Sequence, residues 1–261
     1  MAKLQMIVVA SVTLFFLILY FGCDTKPKKI KALEKTRALN AESTSIQNLL
    51  NAAKENLTAA QSASVLGLEQ DLAEKPDSAR VDTWKLLSGK WYELGHPEIA
   101  GYYAQRVAEI DNREKSWSIT GTTFSICIQN AKEEKIKVYC TEKAVAAYEN
   151  AISINPENST HKVNLALTYA ENPPEENPMQ GIQLLLNLNK ENPEDVLVLT
   201  TLARLGLKTG QFEKAKQRLE KAISIDPDNI NANCLLAQTY DQLGDQQNAT
   251  VFLDKCNGLR K

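Results

Sequence analysis

The sequence predicts an all-α chain: an α-solenoid of about five stacked helical hairpins, preceded by a helical stalk and an apolar N-terminal segment. Three observations carry the prediction. Apolar and small residues recur 34 positions apart between the stretches that start at Val196 and Ile230. Within each stretch the apolar residues lie three and four apart, the spacing of one face of a helix. Gly210 and Gly244 fall at the turn inside each unit, and Pro227 falls between the two units.

Residues 1–22 address a membrane. After Met1-Ala2-Lys3, the run Leu4 to Phe21 is apolar apart from Gln5, Ser11 and Thr13, and Gly22-Cys23-Asp24 and the basic Lys26, Lys28, Lys29 and Lys31 follow. Two readings stand side by side. In one, the segment is a cleaved lipoprotein signal peptide and Cys23 becomes the lipidated first residue. Gly22-Cys23 after a short basic start and an apolar stretch resembles the bacterial lipobox, with Tyr20 and Phe21 standing where that pattern carries an aliphatic and a small residue. In the other, the segment is an uncleaved single-span anchor, whose length of about 27 Å just crosses a hydrocarbon core. The basic flank from Lys26 to Arg37 would then hold the repeats on the cytoplasmic side. The Gly-Cys pair is the more specific signal and favours a lipoprotein facing the periplasm.

Residues 23–80 read as tether and helical stalk. There is no proline between Pro27 and Pro76, and Leu39, Ile46, Leu50, Ala53, Leu57 and Ala60 form a short seam with heptad-like steps. Two alanines in barely three heptads favour a stalk that packs on the first hairpin, through Val65, Leu66, Leu68 and Leu72, over self-association.

The repeats occupy 81–261, divided at about 81–114, 115–158, 159–195, 196–229 and 230–261. The fourth carries Leu199, Leu202, Ala203, Gly210, Ala215, Leu219, Ala222 and Pro227; the fifth carries Leu236, Ala237, Tyr240, Gly244, Ala249, Leu253 and Cys256 at matching offsets. Gly210 and Gly244 suit a turn with positive φ, and the alanines allow paired helices to approach closely. The first repeat shows Trp84, Leu87, Ser88, Trp91, Gly95 and Ala100. The third shows Leu165, Ala166 and Tyr169, a stretched turn from Asn172 to Pro178, then Gly181, Leu185, Leu188 and Pro193. The second is divergent: Trp117, Gly121, Phe124, Ile128 and Ala131 precede Ala144, Tyr148, Ala151 and Pro156, with about ten surplus residues around Lys132 to Cys140.

These residues resemble the tetratricopeptide repeat, whose pattern places a bulky residue, Leu, a small residue, Tyr, Gly, Ala, Leu, Ala and Pro at those offsets. The resemblance implies a superhelix whose first helices line a concave groove that holds a peptide segment or helix of a partner protein. It implies groove positions at Lys85, Tyr92, Val163, Leu167, Leu197, Thr200, Arg204, Leu207, Asn231, Cys234, Gln238 and Asp241. The chaperone-binding version of the family clamps a terminal carboxylate with Lys and Asn. Lys85 matches the first, but Gly89 stands at the second, so that specialisation is not expected.

A net charge of -2, with 24% charged residues, argues against a general nucleic-acid binder, which needs a clustered basic surface. No phosphate loop, nucleophile elbow or metal-ligand spacing occurs, so no enzymatic activity, cofactor, metal or small-molecule substrate is expected. His96 and His161 are expected at the surface, and Asp226-Pro227-Asp228-Asn229 reads as a turn and helix start rather than a calcium loop. Cys234 and Cys256 fall on antiparallel helices where a disulfide is conceivable. The expectation is buried free thiols, with Cys256 replacing a small residue. The predicted whole is a membrane-tethered scaffold in a bacterial cell-envelope assembly. The alternatives are a structural spacer or co-subunit whose groove is filled by its own N-terminal helix, and a cytoplasm-facing single-span scaffold.

Overall fold

A computed structural model describes residues 5–6, 8–9, 11–16, 44–76 and 79–260. Cys23, Leu39 and the basic flank lie outside the described residues. The chain divides into two compact units, Met1–Asn48 and Leu49–Lys261. In the first, the described leader residues are helical, and Met6, Val8, Val9, Val12, Leu14, Phe15 and Phe16 are exposed. The hydroxyls of Ser11 and Thr13 donate back to the carbonyls of Val8 and Val9, each at 2.9 Å. Among the described residues, no helix is long and apolar enough to cross a membrane.

Among the described residues of the stalk there are two helices, α1 (Ile46–Lys54) and α2 (Ala59–Glu74), rather than one. The break has a local cause in Thr58. Its hydroxyl accepts from the Gln61 amide while the Gln61 side chain accepts from the Thr58 amide at 2.8 Å, and this reciprocal cap starts a new helix. The heptad-like seam therefore ends before Leu57. Val65 is buried as expected, whereas Leu66 is 53% exposed. The junction to the first hairpin is polar: Thr83 donates to Asp71 at 2.6 Å, and the Arg80 guanidinium donates to the Leu72 and Lys75 carbonyls.

Five hairpins follow. They are α3 (Arg80–Glu93) with α4 (Pro97–Asp111), α5 (Glu114–Asn130) with α6 (Glu134–Ile154), and α7 (Ser159–Glu171) with α8 (Gln180–Glu191). Then come α9 (Val196–Lys208) with α10 (Phe212–Ile225), and α11 (Ile230–Gln242) with α12 (Gln246–Leu259). Side-chain caps start several of these helices. Asn158, Asp195, Asn229 and Asp245 each accept from an amide in the first turn of α7, α9, α11 and α12. Three hairpin turns use glycine at positive φ: Gly95, Gly210 and Gly244 at 82°, 73° and 80°.

The core runs both within hairpins and between them: Phe124, Cys127 and Ile128 of α5 pack on Cys140, Ala144 and Tyr148 of α6 inside the second hairpin. Leu199, Ala203, Ala215, Leu219 and Ala222 of the fourth hairpin join Ala232, Leu236, Tyr240 and Ala249 of the fifth in one buried cluster. Val163, Ala166 and Leu185 likewise join Val198 and Leu202 across the third and fourth. Leu219 is fully buried under the next hairpin, while its repeat equivalent Leu253 is 50% exposed.

The surplus residues of the second repeat lengthen both of its helices, giving α6 21 residues and leaving only 131–133 as the turn. A disulfide between Cys127 and Cys140, with Cα atoms 6.0 Å apart, closes that end. A second joins Cys234 to Cys256 across the last hairpin at 5.0 Å, so the expected free thiols are disulfides instead. Sequence reasoning paired the second couple but not the first, because the surplus segment hid the facing of Cys127 and Cys140.

Three outcomes follow for stability. A Cβ at Gly181 would fall on the Ala166 carbonyl oxygen and lie 2.8 Å from the Ala170 amide nitrogen, so Gly181→Ala should cost roughly 1 to 3 kcal/mol in a urea melt. Gly89→Ala, with no heavy atom within 4 Å of its added Cβ, should be neutral or slightly stabilising. Removing either disulfide as a double Cys→Ser variant should cost about 3 kcal/mol and lower the thermal midpoint by roughly 6 to 12 °C.

Candidate partner-binding face

The first helices of successive hairpins lie side by side: α5 touches α7, α7 touches α9, and α9 touches α11. Two clefts lie where first helices of successive hairpins meet, and a third lies on the last hairpin. One, of about 180 Å³, opens between α5 and α7, with Thr122, Ile126 and Gln129 facing Asn164, Leu167 and Glu171. Its floor is Tyr148 from α6, whose hydroxyl lies 3.2 Å from Ser125 Oγ and donates to Thr122 Oγ1 at 3.4 Å. Burial raises the Tyr148 pKa, so the phenol remains protonated. A second cleft of about 260 Å³ lies between α3, α4 and α5, with Ala104, Val107 and Ile119 as its apolar part and Lys85, Ser88 and Ser116 around it. The third, of about 320 Å³, lies on the last hairpin among Ala237, Gln238, Asp241 and Leu253, beside the Cys234–Cys256 bridge.

The predicted groove residues divide. Lys85, Leu167, Gln238 and Asp241 line these clefts. Tyr92, Leu197, Arg204 and Asn231 are exposed on first helices, Tyr92 and Leu197 at 51% and 36%. Val163 and Thr200 are corrections. Val163 is 1% exposed in the core between the third and fourth hairpins, and Thr200 is buried with its hydroxyl donating to the Val196 carbonyl. Leu207 is half-buried against the core of the last two hairpins. Cys234 is tied up in its disulfide. The α5 residues Ile119, Thr122, Ile126 and Gln129 were not foreseen. Gly121 was the available signal, since its Cβ position is taken by the Tyr148 ring at 2.6 Å, the close approach that sets the register of this divergent repeat.

A polar knot orders the junction behind this face. Glu114, the first residue of α5, accepts from Asn155 Nδ2 at 2.9 Å, from Asn158 Nδ2 at 2.6 Å and from His161 Nε2 at 2.6 Å. A carboxylate only accepts, so His161 carries its proton on Nε2. His161 is 3% exposed, which corrects its expected surface position; His96 is half-buried beside Glu98 at 2.9 Å. The donors from Asn155, His161 and Asn158 hold the Glu114 carboxyl down at about 2. Among the described residues, no group of three or more His, Cys, Asp or Glu side chains is placed to hold a metal ion.

Family models described as "TPR repeat" and "Tetratricopeptide repeat" match residues 207–244 and 230–261. No curated protein matches the sequence. Among solved structures, the crystal structure of MamA protein is 16% identical, with 70% of this chain and 92% of that chain covered and a TM-score of 0.43. MamA from Desulfovibrio magneticus RS-1 gives the same identity and score over 70% and 96%. YrrB, described as a TPR protein with an unusual peptide-binding site, is 15% identical over 74% and 91%, with a TM-score of 0.39.

Because its folded-state pKa is depressed, Glu114 stabilises the fold above the ordinary carboxylate value near 4.5 and loses that contribution as pH falls towards about 2. Urea midpoints measured across that window should fall more steeply for the native chain than for Glu114→Gln.

Proposed function

We propose that this chain is a membrane-tethered helical-repeat scaffold that holds a peptide segment or helix of a partner protein on its first-helix face, within a bacterial cell-envelope assembly. The observation that carries the reading is the row of clefts along that face, beside exposed Tyr92, Ile119 and Leu197 on helices whose opposite sides are buried. A solenoid exposes such a row for a partner at no cost to its core, since each repeat is stabilised by its neighbours.

Two features support placement outside the cytoplasm. Disulfides persist in oxidising compartments, and this chain has two, with Cys127, Cys140 and Cys256 buried. The leader exposes apolar side chains while Ser11 and Thr13 return their hydroxyls to the helix, an arrangement compatible with lipid. On this reading Cys23 is lipidated and holds the repeats at the periplasmic side.

The binding face is tested with Leu197→Asp combined with Arg204→Glu, two exposed positions. A photocrosslinker at Thr122 should trap a partner in intact cells, and the double variant should lose that adduct while keeping the parental thermal midpoint. If the chain is instead a spacer whose groove is filled by its own N-terminal segment, the Thr122 crosslink will be intramolecular. The anchor is tested by intact mass beside Cys23→Ala: a chain beginning at an acylated Cys23 is expected, and an unmodified full-length chain that stays membrane-bound would leave the spanning anchor.

A further inference from the structure

We propose that the cleft between α5 and α7 receives a basic side chain of the bound segment, while an apolar side chain about five residues away sits in the cleft between α3, α4 and α5. This rests on the reading of the first-helix face as the binding surface.

The α5–α7 cleft is rich in acceptors and has one formal charge. Tyr148 spends its proton on Thr122, and Thr168 spends its own on the Asn164 carbonyl at 2.9 Å, so neither offers a donor to a ligand. The charge is Glu171, the last residue of α7, and Gln129 lies one residue before the end of α5. Both helices therefore turn their C-terminal, negative dipole ends to this site, which favours a cation. Ile126 and Leu167 supply apolar walls for a methylene stem below the charge. A volume of about 180 Å³ corresponds to roughly six waters, room for one long side chain rather than a helix.

Glu171 already shows which group it takes. Lys208, the last residue of α9, reaches it at 3.4 Å, with side-chain exposures of 62% and 41%. Exposed pairs of this kind contribute little to stability, so an incoming cation can displace Lys208. The neighbouring cleft suits the opposite chemistry: Ala104, Val107 and Ile119 provide apolar contact, and Lys85 beside them disfavours a second cation. The two clefts flank α5 and use different stretches of it, Ser116 and Ile119 against Thr122 to Gln129, so roughly 8 to 10 Å across the helix and ~12 Å along it place them about 15 Å apart. An extended chain covers that in about five residues at ~3.3 Å each.

The test uses the full-length chain and capped serine-rich peptides bearing leucine and lysine about five residues apart, in both orders, with norleucine in place of lysine as the uncharged control. Binding is read by fluorescence anisotropy with an uncharged dye. One order should bind about fivefold more tightly with lysine than with norleucine. Glu171→Gln should erase that preference, and Lys208→Ala, which frees the carboxylate, should strengthen lysine binding about twofold or more. Both variants change exposed side chains, and their thermal midpoints should match the parent. Equal binding of lysine and norleucine peptides, still abolished by Ile119→Asp, would overturn this inference and leave the binding face standing. No binding by either peptide, or binding indifferent to Ile119→Asp, would overturn both.

Discussion

Each hairpin of this chain leaves part of its apolar face for the next one to cover. Leu219 and Leu253 occupy the same repeat position, yet one is fully buried under a following hairpin and the other is half exposed. The condition for that coverage is small side chains where helices meet. Ala203, Ala215, Ala222 and Ala232 have no exposed surface, and a larger residue at such sites would push neighbouring hairpins apart. The first-helix face follows from this, because the stacking that buries one side of each first helix lines up the other sides in a row.

Close approach is taken furthest where glycine replaces alanine. Gly101 accepts the ring of Phe124, Gly121 the ring of Tyr148, and Gly181 the backbone of α7. Each contact sets how far one helix sits from the next and so the width of the clefts. The Tyr148 ring lies on Gly121 and its hydroxyl reaches the floor of the α5–α7 cleft, so packing and polar lining are two ends of one side chain. The Glu114 knot works from behind, joining the start of α5 to Asn155, Asn158 and His161 around the entry to α7.

The fold was legible in the residues that obey the period. Gly210, Gly244 and the alanine positions mark turns and contacts directly, because each serves a local geometric need that few other residues meet. What escaped was set by partners distant in sequence. His161 looks like a surface residue until Glu114, 47 positions earlier, is brought beside it. Val163 follows the groove register of the repeat it resembles, yet its neighbours Val198 and Leu202 close over it. The face of α5 was hidden because its repeat is too divergent for positions to be carried across. The stalk misled for a different reason: apolar spacing suggested continuity, and one capping pair at Thr58 and Gln61 outweighed it.

The long second hairpin has a mechanical meaning. At 1.5 Å per residue, α6 extends about 30 Å, against roughly 20 Å for most of the other helices. The third hairpin leans on this longer arm: Asn172 Nδ2 donates to Thr141 Oγ1 at 2.9 Å, and Leu165 packs against the cluster of Phe124, Cys127 and Cys140. The Cys127–Cys140 bond lies beside these contacts and fastens the two arms of the hairpin together. A load applied near Lys132 would then be transmitted to α5 as a rigid tilt, carrying both clefts that α5 separates.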